Sequence, residues 1–180
     1  MARFPLTPDT DALPADVAAV YAEIRQELGF GMVPNLFQAM AVNPPYLRVQ
    51  WELFRTTILR GQLPRTLKEM LGVLISQHNG SVYARAVHLH GLSALGMSDE
   101  VLQMLVTDYE RCPLPDRDKD ILRFGLQMAT DPLGVTDAHY AQLHSHDLND
   151  HEICEVIATA QLFTAVNIFT DGIDLEIDQL

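Results

Sequence analysis

Cysteine is nearly missing from this chain: Cys112 and Cys154 are the only two, far apart and in no CxxC spacing. That excludes a disulfide framework and a zinc knuckle, and both read as structural thiols. Basic residues are scarce too. Twelve Lys and Arg face twenty-four Asp and Glu, for a net charge of −12, which opposes binding to nucleic acid or to an anionic membrane. No apolar run approaches the roughly eighteen uninterrupted residues of a membrane span. The opening MARFPLTPDT lacks the charged, then apolar, then small pattern of a secretory signal, so a soluble, cytoplasmic protein with no nucleic-acid or membrane partner is expected. Nor does any segment alternate apolar and polar residues long enough to make a strand, which leaves an all-α fold.

What is abundant is helical periodicity with clear punctuation. Pro14 and Asp16 open a first helix carrying Val17, Val20, Ile24 and Leu28, and Gly29 ends it. Val33-Pro34-Asn35-Leu36-Phe37 opens a short second helix. Pro44-Pro45 begins a third with Leu47, Trp51, Phe54 and Ile58 on one face, stopped by Gly61. A fourth runs from Pro64 to the turn signal Asn79-Gly80, and a fifth from Ser81 to about Leu95. Ser98 caps a sixth that ends before Cys112-Pro113. A shift of 51 positions then lays Leu63-Pro64 on Leu114-Pro115, Glu69 on Asp120, Leu71 on Leu122 and His88 on His139, which suggests two related helical units. The last helix, with Asn149 and Glu152 as a capping box, is strongly apolar and suits a core or a subunit contact. The expectation is one domain over residues 1–180 with eight or nine helices: N-terminal helices over 1–62, a motif unit over 63–112 and a related unit over 113–180.

The fourth and fifth helices, joined at Asn79-Gly80, form an antiparallel hairpin on this reading. Glu69 and His88 then lie roughly 15 and 12 Å from the turn at about 1.5 Å per residue, nearly level with each other. If they face, the carboxylate orients the imidazole and raises its basicity. Ser81, Ala84 and His88 follow i, i+3, i+7 and share one stripe of the fifth helix. Glu69, eleven residues, then Ser81-Val82-Tyr83-Ala84-Arg85-Ala86-Val87-His88 resembles the E-x11-CxxCxxxH signature of the alkylhydroperoxidase D-like (carboxymuconolactone decarboxylase) superfamily. The resemblance extends to Val33-Pro34-Asn35-Leu36-Phe37, Leu63-Pro64, Asn79-Gly80, Leu95-Gly96 and Asn167 to Gly172, and is strongest to the peroxidase-related subgroup.

The resemblance implies a great deal. In that family the second cysteine attacks peroxide as a thiolate and the first resolves the sulfenic acid as a disulfide. The helix N-terminus and a histidine four residues on assist the thiolate. Here the attacking position is Ala84 and the resolving one Ser81, whereas Glu69 and His88 are kept, so thiol peroxidase activity is expected to be lost. Ser81 reads as an N-cap; it lies roughly 10 Å along the helix from His88, too far to be a hydrolase nucleophile on it. Glu69 and His88 read as a working acid/base pair, a relay without its client, or a buried ion pair. Tyr83 is a candidate ligand contact or a packed ring.

His88-Leu89-His90 and His144-Ser145-His146 invite a metal, but residues two apart point about 200° apart on a helix and cannot chelate from one face. No metal and no cofactor are expected. Three functions follow: a peroxidase-related protein that has lost its dithiol; an acid/base enzyme of the carboxymuconolactone decarboxylase type using His88 and Glu69 on a small carboxylate, with Arg85 as the nearest cation; or a non-catalytic oligomeric binding protein. The family implies a homo-oligomer, dimer to hexamer, and a small-molecule ligand.

Overall fold

Proline shapes the way this chain enters its helices. In the computed structural model, which describes residues 2–179, Pro14, Pro34, Pro64 and Pro115 precede helices with φ between −55° and −59° and extended ψ. The ring fixes φ near the required value, and no side-chain cap is made at these four starts. The resulting helices are α1 (Ala15–Glu27), α2 (Asn35–Met40), α4 (Arg65–Asn79) and α7 (Asp116–Thr130). The others are α3 (Pro44–Phe54), α5 (Val82–Ala94), α6 (Asp99–Asp108), α8 (Asp137–Ser145) and α9 (Asp150–Gly172). Asn43, Ser98 and Asn149 cap α3, α6 and α9 with their side chains, and Glu152 completes the capping box of α9. Among the described residues there are nine α-helices and no strand.

α4 is the axis of the molecule. Every residue from Leu67 to Ser76 is buried, because α5, α9, α7 and α6 surround it. α9 packs on α4, α7 and α5. This 23-residue helix contains an 18-residue window of mean hydropathy 1.5, long and apolar enough to cross a membrane by those two measures, yet 56% of that window is buried inside the protein. It is a core helix. α1, α2 and α3 form a side layer, where Trp51 donates its indole N–H to Glu23 Oε2 at 2.9 Å and Arg48 and Arg55 bridge to Glu23 as well.

α3 runs on as a π-helical turn over Arg55–Leu59 before Gly61, with φ +107°, turns the chain. Helix ends leave carbonyls without partners. Lys68, itself buried on α4, supplies them: its ammonium donates to the carbonyls of Thr57 and Arg60 at 2.8 and 2.7 Å and pairs with Glu155 of α9. Glu155 in turn accepts from the amide of Gln62 at 2.9 Å.

Candidate functional site

The hairpin of α4 and α5 turns at Gly80, which takes φ +71° as the left-handed cap of α4. Ser81 stands at the N-cap position of α5, but its hydroxyl does not cap the helix. It donates instead to Asp171 Oδ1 at 2.7 Å, tying the hairpin turn to the end of α9. One turn back, Ser76 donates to Asn167 Oδ1 of α9 at 3.2 Å.

Glu69 and His88 do face each other. His88 Nδ1 lies 2.8 Å from Glu69 Oε2, and both residues are buried. Burial pushes the Glu69 carboxyl up; the hydrogen bond and charge of His88, with the charge of Arg65, outweigh it and hold the group below its ordinary value. Arg65, one turn before Glu69, donates Nε–H to Glu69 Oε1 at 3.2 Å and Nη1–H to the Leu28 carbonyl at 3.0 Å. In the neutral imidazole, an ionised carboxylate against Nδ1 places the proton on that nitrogen and leaves the lone pair on Nε2. Among the described residues Nε2 has no hydrogen-bond partner.

Two glycines make room for this pair. A Cβ on Gly72 would come within 2.8 Å of His88 Nε2, so the imidazole lies directly over bare α4 backbone. A Cβ on Gly91 would be 3.7 Å from the Glu69 carboxyl carbon. The other edge of the imidazole meets the ring of Phe163 on α9 at 4.3 Å between centroids and 69°. Neither glycine nor Phe163 stood out in the sequence, although a glycine inside a helical pattern is a recognised sign of close packing.

His88 and Glu69 open onto a cavity of about 30 Å³. Its wall is apolar: Leu36, Phe37 and Phe54 on one side, Ala84 and Val87 of α5, Phe163 and Val166 of α9. No Lys, Arg or Cys among the described residues lines it. Ala84 therefore sits in the same cavity as His88. Cys112 is buried elsewhere, directed at the Val101 carbonyl, and Cys154 is exposed beside Arg60 and His151. Arg85 bonds Gln77 Oε1 at 2.6 Å and does not reach the cavity.

Tyr83 contributes its ring to the wall, while its hydroxyl is already committed. It donates to Asp178 Oδ2 at 2.8 Å and accepts from the Leu36 amide at 3.0 Å. Burial, reinforced by the Asp178 charge, raises the phenol well above its ordinary value. Asp178 also accepts from the Asn35 amide at 2.6 Å, so the C-terminal tail is fastened to the start of α2. The single proton of the Tyr83 hydroxyl is thus given to Asp178 and not to the cavity. The remaining histidines are dispersed: His90 lies edge-on to Phe30, His144 bonds the Leu148 carbonyl, and His146 pairs with Asp120 at 2.7 Å.

No protein-family model matches the chain. An alkyl hydroperoxide reductase of Mycobacterium tuberculosis is 32% identical over 89 residues, which is 49% of this chain and 25% of that protein. The matched stretch thus spans only about a quarter of that relative. An alkylhydroperoxidase AhpD core protein of Ralstonia eutropha, described as an uncharacterised peroxidase-related protein, superposes with a TM-score of 0.88 at 24% identity over 99% of this chain and 93% of its own. A peroxidase-related protein of Silicibacter sp. gives 0.86 at 24% identity over 97% and 93%. A cysteine-to-alanine variant of a debrominase, in complex with 2,3,4-tribromopyrrole, gives 0.81 at 18% identity over 99% and 95%.

Proposed function

We propose that this chain, which has the AhpD-like all-α fold, is a peroxidase-related protein that has lost thiol peroxidase chemistry and keeps the acid/base half of the site for a small uncharged ligand. The observation that carries the reading is the buried Glu69–His88 pair at 2.8 Å, which lines a cavity that Ala84, and no thiol, also lines. In the resemblance to the E-x11-CxxCxxxH signature, Ala84 takes the attacking position and Ser81 the resolving one. Alanine has no lone pair, and the Ser81 hydroxyl is held by Asp171. Sulfenic acid and disulfide chemistry have no atoms to run on there.

His88 Nε2 would take a proton from the ligand, and Glu69, fixed by Arg65, would steady the imidazolium that forms. The debrominase with the same fold binds a small halogenated pyrrole, a ligand of the kind an apolar cavity with one base would suit. A carboxylate substrate is the weaker reading. It would bring a second anion beside Glu69, and the one cation the sequence offered for it, Arg85, is turned to Gln77. The protein is proposed to work as a homo-oligomer, as the family resemblance implies.

The test is turnover of a small hydroperoxide by the unaltered protein with a dithiol donor. No turnover above the donor alone is expected. Turnover that disappears when Cys112 or Cys154 is replaced would contradict the proposal.

A further inference from the structure

The cavity at His88 is too small for what its walls suit. At about 30 Å³ it holds a few water-sized atoms, well short of the ~150 Å³ of a cavity that takes up benzene. Yet five of the side chains around it, Phe30, Phe37, Phe54, Tyr83 and Phe163, contribute aromatic rings. Four of these five stand on helices. Phe30 alone comes from a loop, the connection between α1 and α2.

That connection is least held at one point. Phe30 is flanked by Gly29 at φ +91° and Gly31 at φ +69°, and nothing lies within 4 Å of where a Cβ on either would be. Residues 29–32 make no hydrogen bond to the rest of the described chain. Both sides of the stretch are fastened: Arg65 holds the Leu28 carbonyl at 3.0 Å and Gln38 holds the Val33 carbonyl at 2.8 Å. Phe30 is only half-buried. Its tip lies 3.7 Å from where a Cβ of Gly91 would be, the same distance as the Glu69 carboxyl carbon from that point, and its ring stands edge-on to His90 at 5.2 Å.

We propose that Phe30 is the size-determining gate of this site and that its ring holds the place of the ligand: an uncharged, ring-sized molecule bearing one X–H donor for His88 Nε2. The ligand's class rests on the reading of His88 as a base open to the cavity. Swinging Phe30 outward on the two glycines vacates, by identity, the space of one aromatic ring next to Glu69 and His88. The helix-borne walls need not shift. The donor requirement follows from Nε2, which holds the lone pair in the neutral imidazole and has no partner among the described residues. The Glu69 carboxylate and the absence of Lys and Arg among the described lining residues disfavour an anion, and the apolar walls penalise a charge of either sign. Because the closed form must open before binding, the apparent affinity is lowered by the closed fraction.

The experiment is an NMR titration of the isotope-labelled protein with phenol, toluene and benzoate, following the His88 imidazole and the through-space contact between the Phe30 and His90 rings. Phenol is expected to shift His88 saturably and abolish the Phe30–His90 contact, with affinity roughly tenfold or more above toluene, a factor that one hydrogen bond supplies. Benzoate is expected not to bind. Phe30→Ala should bind phenol more tightly than the unaltered protein, with Phe30→Leu in between. Uptake by Phe30→Ala but not by the unaltered protein would overturn the gate, since the void would then be of the mutation's making. Phenol preferred over toluene with the Phe30–His90 contact intact would overturn the gate and leave His88 as a base. Equal binding of phenol and toluene with Phe30 displaced would overturn the donor requirement, and with it the reading of His88.

Discussion

Glu69 keeps its charge in a place where burial alone would remove it, and that decides how the site responds to pH. Its folded pKa lies below the ordinary 4.5, so the stabilisation it brings is present above the unfolded value and is lost as pH falls through the folded one. Glu69→Gln should therefore cost about 1–3 kcal/mol at neutral pH, with the gap to the unaltered protein narrowing in acid; denaturant unfolding at a series of pH values checks it. Glu69 and His88 were legible because hairpin arithmetic puts them level and the E-x11 spacing singles them out. Arg65 was not. It acts one turn before Glu69, yet its second bond goes to the Leu28 carbonyl, a long-range contact that no local pattern announces. The partners of the Tyr83 hydroxyl were hidden for the same reason, since Asp178 and the Leu36 amide reach it from distant stretches of the chain.

At the scale of elements, helix starts and stops were legible nearly throughout, because proline, Asn-Gly and the capping residues act locally. α4 and α7 are each 15 residues long and begin and end 51 positions apart. What the pattern could not reveal is how closely α4 and α5 approach. Gly72 makes that approach work. Gly72→Ala should push the imidazole off Glu69 and cost roughly 1–3 kcal/mol, visible as loss of the 2.8 Å contact in a structure of the variant. The π-helical end of α3 was equally hidden, because its partners Lys68 and Glu155 come from α4 and α9. Gly61 lies against the Glu155 carboxylate, and a Cβ there would meet it at once. Gly61→Ala is expected to cost roughly 3 kcal/mol or more, combining a positive φ with a displaced buried pair. Gly29→Ala, which also has positive φ but meets nothing, should cost about 1 kcal/mol. Their unfolding midpoints give the comparison.

The whole molecule is a helical shell built around α4, and α9 supplies the wall that turns the hairpin into an enclosed site. Phe163 faces the imidazole, Asn167 faces Ser76 and Asp171 holds Ser81. This arrangement explains why a long apolar helix belongs inside the protein. It also explains how the scaffold can keep a carboxylate-backed histidine with no thiol beside it, since neither Ser81 nor Ala84 positions Glu69 or His88. Sedimentation at micromolar concentration should show an oligomer, and a purely monomeric protein would count against the proposed assembly. On the proposed function, only Ser81 and Ala84 separate this site from a working thiol peroxidase. Peroxide reduction with a dithiol donor by the Ser81→Cys/Ala84→Cys variant tests it most directly. Activity should appear in the double variant and vanish again when His88→Gln is added; a double variant that folds and stays inactive, or one indifferent to His88, would contradict the account.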